Sequence, residues 1–345
     1  MKIKHLVLPL AVLIPAFLIF GPRLNNIPAD LRDAVSDGAF SELAGSAPGA
    51  DVPAVSAPAP KAVRSSAKSI YGSDDRLDYY QGDAGMQALS NSVVSLWKAE
   101  DVTVAGGKAS LNVMDFGTAL SLCPGEKFSE QPLGAFCSGT LVGEDVIMTA
   151  GHCITDEKSC AATKLVFGFA LKKAGQYPDS VPAGDVYGCK SIIKRDLDTG
   201  NGGFVSNLVS IYNGGPGPDF ALIKLDRKVT GRKPLPIHKG AKPAKGDQLF
   251  VIGHPVGLPL KIAGSAKVRD AAPTYFFKAD LDTFGGNSGS AVFNAGTKLI
   301  EGILVRGDTD FVVSPAGCRV SSVVPQDGGR GEAVTKISVV EKYIP

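Results

Sequence analysis

The chain contains one serine, one histidine and one aspartate set in motifs suited to nucleophilic hydrolysis. Ser288 lies in Gly285-Gly286-Asn287-Ser288-Gly289-Ser290. A serine hydroxyl is a weak nucleophile until a base within hydrogen-bond reach takes its proton. Glycines on either side let the backbone turn sharply and approach a carbonyl closely. The Gly286 and Ser288 amides can then point at the oxyanion of a tetrahedral intermediate. Histidine is the natural base near neutral pH. Of four histidines, His5 falls in an apolar N-terminal run, His238 in a Pro/Lys-rich connector and His254 at a turn. His152 differs, because the strand-like Val146-Ile-Met-Thr149 leads into it and Cys153 follows it. An imidazole base needs a desolvated carboxylate to orient it. Asp219, opening the apolar Phe220-Ala-Leu-Ile-Lys-Leu225, suits that role better than Asp185, Asp196 or Asp198 in polar surroundings.

These residues need a rigid frame, and the sequence around them reads as short strands. Candidates are 92–97, 135–142, 146–149, 164–169, 220–225, 248–253, 291–293 and 299–305, punctuated by Gly, Pro, Asn and Asp. Many short strands without βαβ alternation indicate an all-β sandwich or barrel. A Pro- and Lys-rich stretch over 226–247 separates two halves, and no internal repeat is visible. Val334, Ile337 and Val340 have helical spacing and predict a short C-terminal helix within 332–344.

At 345 residues the chain has 44% hydrophobic and 20% charged residues, with a net charge of +2. Its Lys and Arg are scattered, which argues against a nucleic-acid partner. Lys2 and Lys4 precede an apolar run over residues 6–20, the pattern of an export signal, or of an anchor if it stays uncleaved. Residues 44–69 are Ala-, Ser- and Pro-rich, and 21–69 read as a disordered linker or pro-segment. The organisation expected is thus signal 1–20, linker 21–69, a first half over 70–230 and a second over 231–345. Six cysteines in an exported chain point to disulfides and to a secreted or periplasmic location. Cys137 and Cys153 flank one strand–turn–strand and form the expected pair; Cys123, Cys160, Cys189 and Cys318 allow three pairings. There is no C-x-x-C and the histidines are dispersed, so no metal site is expected.

Thr149-Ala-Gly-His152-Cys153, Asp219-Phe-Ala-Leu-Ile and Gly286-Asn-Ser288-Gly-Ser290 resemble the three motifs of trypsin-like serine proteases of the chymotrypsin fold, in the same order. The resemblance covers roughly residues 70–345. It implies two six-stranded antiparallel β-barrels with the active site in the cleft between them. Ile70-Tyr-Gly-Ser-Asp-Asp-Arg76 and Asp282-Thr-Phe-Gly-Gly-Asn-Ser-Gly-Ser290 resemble the mature start and nucleophile loop of the bacterial glutamyl-endopeptidase-like branch. Asn287 stands where digestive zymogens carry the Asp that binds a freed N-terminus, so that activation pair is not available. Asp282, Thr283 and Arg306 fall where the resemblance locates the substrate pocket. Arg306 there either attracts an acidic side chain or pairs with Asp282.

The function expected is therefore a cofactor-free serine endopeptidase, monomeric, acting on protein or peptide substrates. The alternative is a catalytically silent, protease-like binding or adhesion module. An α/β-hydrolase would need Gly-x-Ser-x-Gly and the order Ser…Asp…His, and neither is present.

Overall fold

Val93–Lys98 (β1), Cys137–Gly143 (β2), Val146–Thr149 (β3), Thr163–Phe167 (β4), Val186–Leu197 (β5) and Asp219–Leu225 (β6) form one closed, antiparallel barrel. The computed structural model describes residues 69–197, 217–307 and 310–345. The export-signal and linker expectations, His5 and Asp198 lie outside them. A second ring is built from Gln248–Gly253 (β7), Lys261–Asp270 (β8), Phe276–Ala279 (β9), Ala291–Asn294 (β10), Ile300–Arg306 (β11) and Glu332–Lys336 (β12). It closes through the β7–β8 pairing, and the short strand Leu77–Asp78 attaches outside it on β8.

The pairing order is the same in both rings. In the first it is β1-β2-β3-β6-β5-β4, and in the second β7-β8-β9-β12-β11-β10. The halves therefore share a topology without a visible sequence repeat. Closing each ring leaves no free sheet edge. Leu96, Leu141, Ile147, Leu165, Leu222 and Ile223 are buried in the first barrel. Leu249, Val251, Val268, Phe277, Val292, Leu304 and Val334 form a separate cluster in the second.

Several strands differ from the sequence expectation for identifiable reasons. β5, β8 and β9 carry Lys, Arg or Asp among their apolar residues. Their periodicity is diluted, and β5 and β8 also contain irregular register steps. At the C-terminus, helix formation begins only at Ile337. Residues 332–336 are instead β12, where Val334 pairs with Phe277 on one side and Leu304 on the other. Helical spacing there is overridden by the two-sided ladder available to a β-branched residue. The helix (α1, Ile337–Val340) continues into a 3₁₀ turn over Glu341–Tyr343.

Three disulfides staple the frame. Cys137–Cys153 links the start of β2 to the loop after β3. Cys160–Cys189 ties the short helix before β4 to β5, and Cys123–Cys318 bridges residues 195 apart in sequence. The expected pair is formed, and the structure settles the other two.

Candidate active site

His152 follows β3 directly, and β3 is fully buried between β2 and β6. Asp219 is the first residue of β6, where it is 1% exposed. The β3–β6 pairing of Thr149 with Ala221 brings the two together. His152 Nδ1 lies 2.9 Å from Asp219 Oδ2. The other oxygen, Oδ1, accepts the Gly151 N–H at 2.7 Å and the His152 N–H at 3.2 Å. A carboxylate held by two backbone amides has no freedom to rotate, so it fixes the ring that donates to it. Two further bonds brace this arrangement. Arg195 of β5 donates to the Gly151 carbonyl, and Thr335 of β12 donates to the Asp219 carbonyl at 2.9 Å.

Burial alone would raise the Asp219 pKa. The hydrogen bond and charge of His152, the Arg306 guanidinium and the Gly151 amide outweigh it and hold the carboxyl below its usual range. The aspartate is therefore ionised wherever the imidazole works as a base.

Ser288 belongs to the other barrel, in the loop before β10. Its carbonyl accepts the Ser138 N–H from β2 at 2.9 Å, and Cys153 Sγ lies 3.6 Å from the same oxygen. The disulfide beside His152 is thus also beside the backbone of Ser288. Ser288 is 7% exposed, and among the described residues its hydroxyl makes no hydrogen bond. Uncomplexed serine–histidine pairs are commonly long and tighten only around substrate. Gly286 and Gly289 have φ of +76° and +90°, a region that excludes ordinary side chains. A side chain at Gly289 would collide with the Ser138 carbonyl, so the nucleophile loop lies directly on β2. Loop amides 287, 289 and 290 donate to Phe284, Leu304 and Asn287 carbonyls. Among the described residues, the Gly286 and Ser288 amides have no such acceptor and remain available to an oxyanion.

Of the three residues expected at the pocket, Asp282 and Arg306 have different partners. Asp282 accepts the Tyr71 N–H at 2.8 Å and the Asp75 N–H at 3.2 Å. It therefore binds the segment that resembles a mature start, whose Ile70–Tyr71 pairs in parallel with Val323–Val324. Burial, with Asp75 and Asp74 adding their charge, pushes its pKa up to about 7 against the opposing pull of the two amides. Thr283 is fully buried. Arg306 does not pair with Asp282; its guanidinium stands 3.6 Å from Asp219 Oδ2.

The remaining candidates have structural partners. Asp185 pairs with Arg232, Asp196 lies in β5 opposite Phe220, and His238 pairs with the buried Glu301. His254 is 1% exposed and donates its Nδ1–H to the Leu258 carbonyl. Burial, foremost, holds its pKa down to about 3. Cys137, His152 and Cys153 place three ligand-type atoms within 4.8 Å of one another. Both sulfurs are committed to a disulfide, and the thiolates that a metal would need are absent. Ser138 was missed from the sequence. A serine one residue after a cysteine on a strand carries no distinctive signal.

The trypsin-like peptidase domain family model matches residues 137–300, which include His152, Asp219 and Ser288. Over those residues the chain resembles a trypsin-like peptidase domain. The chain is also similar to glutamyl endopeptidases of Staphylococcus aureus. The strain MRSA252 enzyme is 26% identical over 183 residues, covering 50% of this chain and 43% of the relative. The strain MW2 enzyme matches equally, over 47% of its length. The match thus spans less than half of these curated relatives. A solved Glu endopeptidase in complex with MPD aligns with a TM-score of 0.44 and 18% identity, covering 80% of this chain and 97% of that one. The Vibrio cholerae VesB protease aligns at 0.43 and 16%, covering 74% and 63%.

Proposed function

We propose that the protein is a secreted or periplasmic serine endopeptidase that cleaves protein or peptide substrates without a cofactor. The carrying observation is the buried Asp219 carboxylate, held by two amides and 2.9 Å from His152 Nδ1. That contact leaves Nε2 as the nitrogen facing away from Asp219, in the state able to accept a proton. Ser288 Oγ attacks the scissile carbonyl carbon while His152 takes its proton, and the Gly286 and Ser288 amides bind the resulting oxyanion. Collapse expels the amine, which takes the proton from His152, and leaves an acyl-serine. Water, deprotonated by the same imidazole, then releases the acid and regenerates Ser288. Three disulfides fit an extracytoplasmic compartment, and relatives named glutamyl endopeptidases support peptide hydrolysis.

Intact mass after treatment with a fluorophosphonate, beside casein cleavage, tests the reading. The expectation is one adduct on wild type and none on Ser288→Ala, whose proteolysis falls by several orders of magnitude. A wild-type chain beginning near Ile70 that takes no adduct would overturn it and leave a binding module.

A further inference from the structure

We propose that Ser138 is a positioning residue for the oxyanion site. Its buried hydroxyl holds the Gly286 peptide so that the Gly286 and Ser288 amides converge. The inference rests on Ser288 being the nucleophile.

Ser138 lies on β2 of the first barrel, while the loop it binds belongs to the second. It is 0% exposed, and all of its polar capacity is used. Its N–H donates to the Ser288 carbonyl at 2.9 Å, and its carbonyl accepts Thr149 Oγ1 at 2.7 Å. Its hydroxyl donates to the Gly286 carbonyl at 2.8 Å and accepts the His254 N–H at 2.9 Å. One side chain therefore connects β2, the nucleophile loop and the turn after β7.

The Gly286 carbonyl is the strategic atom among these. It belongs to the 286–287 peptide, which lies between the two amides that an oxyanion needs. Gly286 sits at φ +76°, and glycine has the shallowest torsional restraints of any residue. Without an external donor on that carbonyl, the 286–287 peptide is held only by the Asn287 N–H on the Phe284 carbonyl, and rotation about Gly286 ψ changes the angle between the Gly286 and Ser288 amides. The preceding 285–286 peptide is held from the neighbouring turn, which leaves the 286–287 peptide as the one that Ser138 controls. Val256 has φ +47°, a strained value for a β-branched residue, while its N–H donates to the Gly285 carbonyl. The Ser288 end is held separately by the Ser138 backbone N–H, which survives loss of the hydroxyl. Removing the hydroxyl should therefore loosen the oxyanion donor without displacing the nucleophile.

A simple structural tie between barrels makes a different prediction, and acylation kinetics separate the two. The experiment uses the full chain with p-nitrophenyl acetate in a stopped-flow instrument, reading the acylation rate constant and the ester dissociation constant separately. Loss of one oxyanion donor costs about 10²–10³-fold, and Ser138 acts at one remove. Ser138→Ala is expected to acylate about 10–100-fold more slowly, with ester binding within about twofold and an unchanged near-ultraviolet CD spectrum. Ser138→Thr, which keeps the hydroxyl, is expected to recover most of the rate.

The proposal is overturned if Ser138→Ala acylates within about twofold of wild type. It is overturned equally if binding and CD collapse together with the rate, or if Ser138→Thr is as slow as the alanine variant. Should Ser138→Ala not fold, Ser138→Gly is held to the same criteria. A wild-type burst that Ser288→Ala abolishes confirms the underlying nucleophile. A wild type without any burst, both as the full chain and as a chain beginning near Ile70, overturns that reading and this inference together, whereas a burst with unaffected Ser138 variants overturns this inference alone.

Discussion

Asp219 has four partners on two oxygens: the imidazole and guanidinium at Oδ2, and two backbone amides at Oδ1. Asp219→Asn keeps the shape and replaces one acceptor by a donor. An NH₂ on the amide side faces two N–H groups, and on the other side it faces the ring N–H. In either orientation the histidine loses its acceptor or the loop loses its anchor. The expected result is a folded protein whose kcat falls by about 10³–10⁴-fold, read on casein or an ester. A loss below tenfold would remove Asp219 from the proposed mechanism. Arg306 illustrates a different point at this scale. Its charge and position suit a specificity pocket by sequence, and its distance to Asp219 also gives it a part in holding that carboxylate ionised.

Among the elements, β2 and β3 carry most of the positioning. They are buried throughout, joined by two residues, and closed by Cys137–Cys153. The loop between the bridged cysteines holds His152, and the bridge sulfur abuts the Ser288 carbonyl. Crosslinking across a separation of 16 residues restricts the unfolded chain by about 3 kcal/mol in the chain-entropy account. The paired variant Cys137→Ser, Cys153→Ser should therefore unfold at lower denaturant by about that free energy and lose activity through a looser His152 loop. Chemical denaturation beside an activity assay checks both parts. Unchanged values for both would separate the bridge from the site. β12 is a further positioning element, since Thr335 reaches across from the second barrel to the Asp219 carbonyl.

For the whole molecule, two buried groups give stability opposite dependences on pH. His254 has a folded pKa of about 3, below its ordinary 6.5. Its contribution is present above pH 6.5 and is lost as pH falls towards 3. Asp282 has a folded pKa of about 7, above its ordinary 3.8. Its contribution is present below about pH 3.8 and is lost as pH rises through 7. Each is worth on the order of 3–5 kcal/mol across its window, so the slopes largely offset each other between pH 4 and 6.5. Asp282→Asn removes one of them. The variant's denaturant midpoint should fall more steeply on acidification than that of wild type, and should gain relative to wild type as pH rises from 4 to 7. Parallel pH profiles for the two proteins would contradict the assignment. The carboxyl in question also holds the 71–75 backbone, so the same titration reports how firmly that segment is seated.

The sequence by itself pointed to the proposed chemistry and determined the fold class. Ser288, His152 and Asp219 were legible because nucleophile, base and orienting carboxylate each demand a residue type in a particular local setting. Glycine around the serine and an apolar strand beside the histidine and the aspartate are properties of neighbouring residues. Short apolar runs between turn residues likewise exposed the all-β frame, and Cys137 with Cys153 bracketed a single hairpin. Other features depended on contacts between residues distant along the chain. Two cysteine pairings, the partner of Arg306, the seat of Asp282 and the strand at 332–336 were decided by which elements the two barrels bring together. Ser138 is the clearest case. On its own strand it is an ordinary serine; two of its four partners, Gly286 and Ser288, reach it only when a loop some 150 positions later folds onto it, and a third, His254, comes from the second barrel. Local pattern records what a residue can do, while closure of the barrels selects the groups it meets.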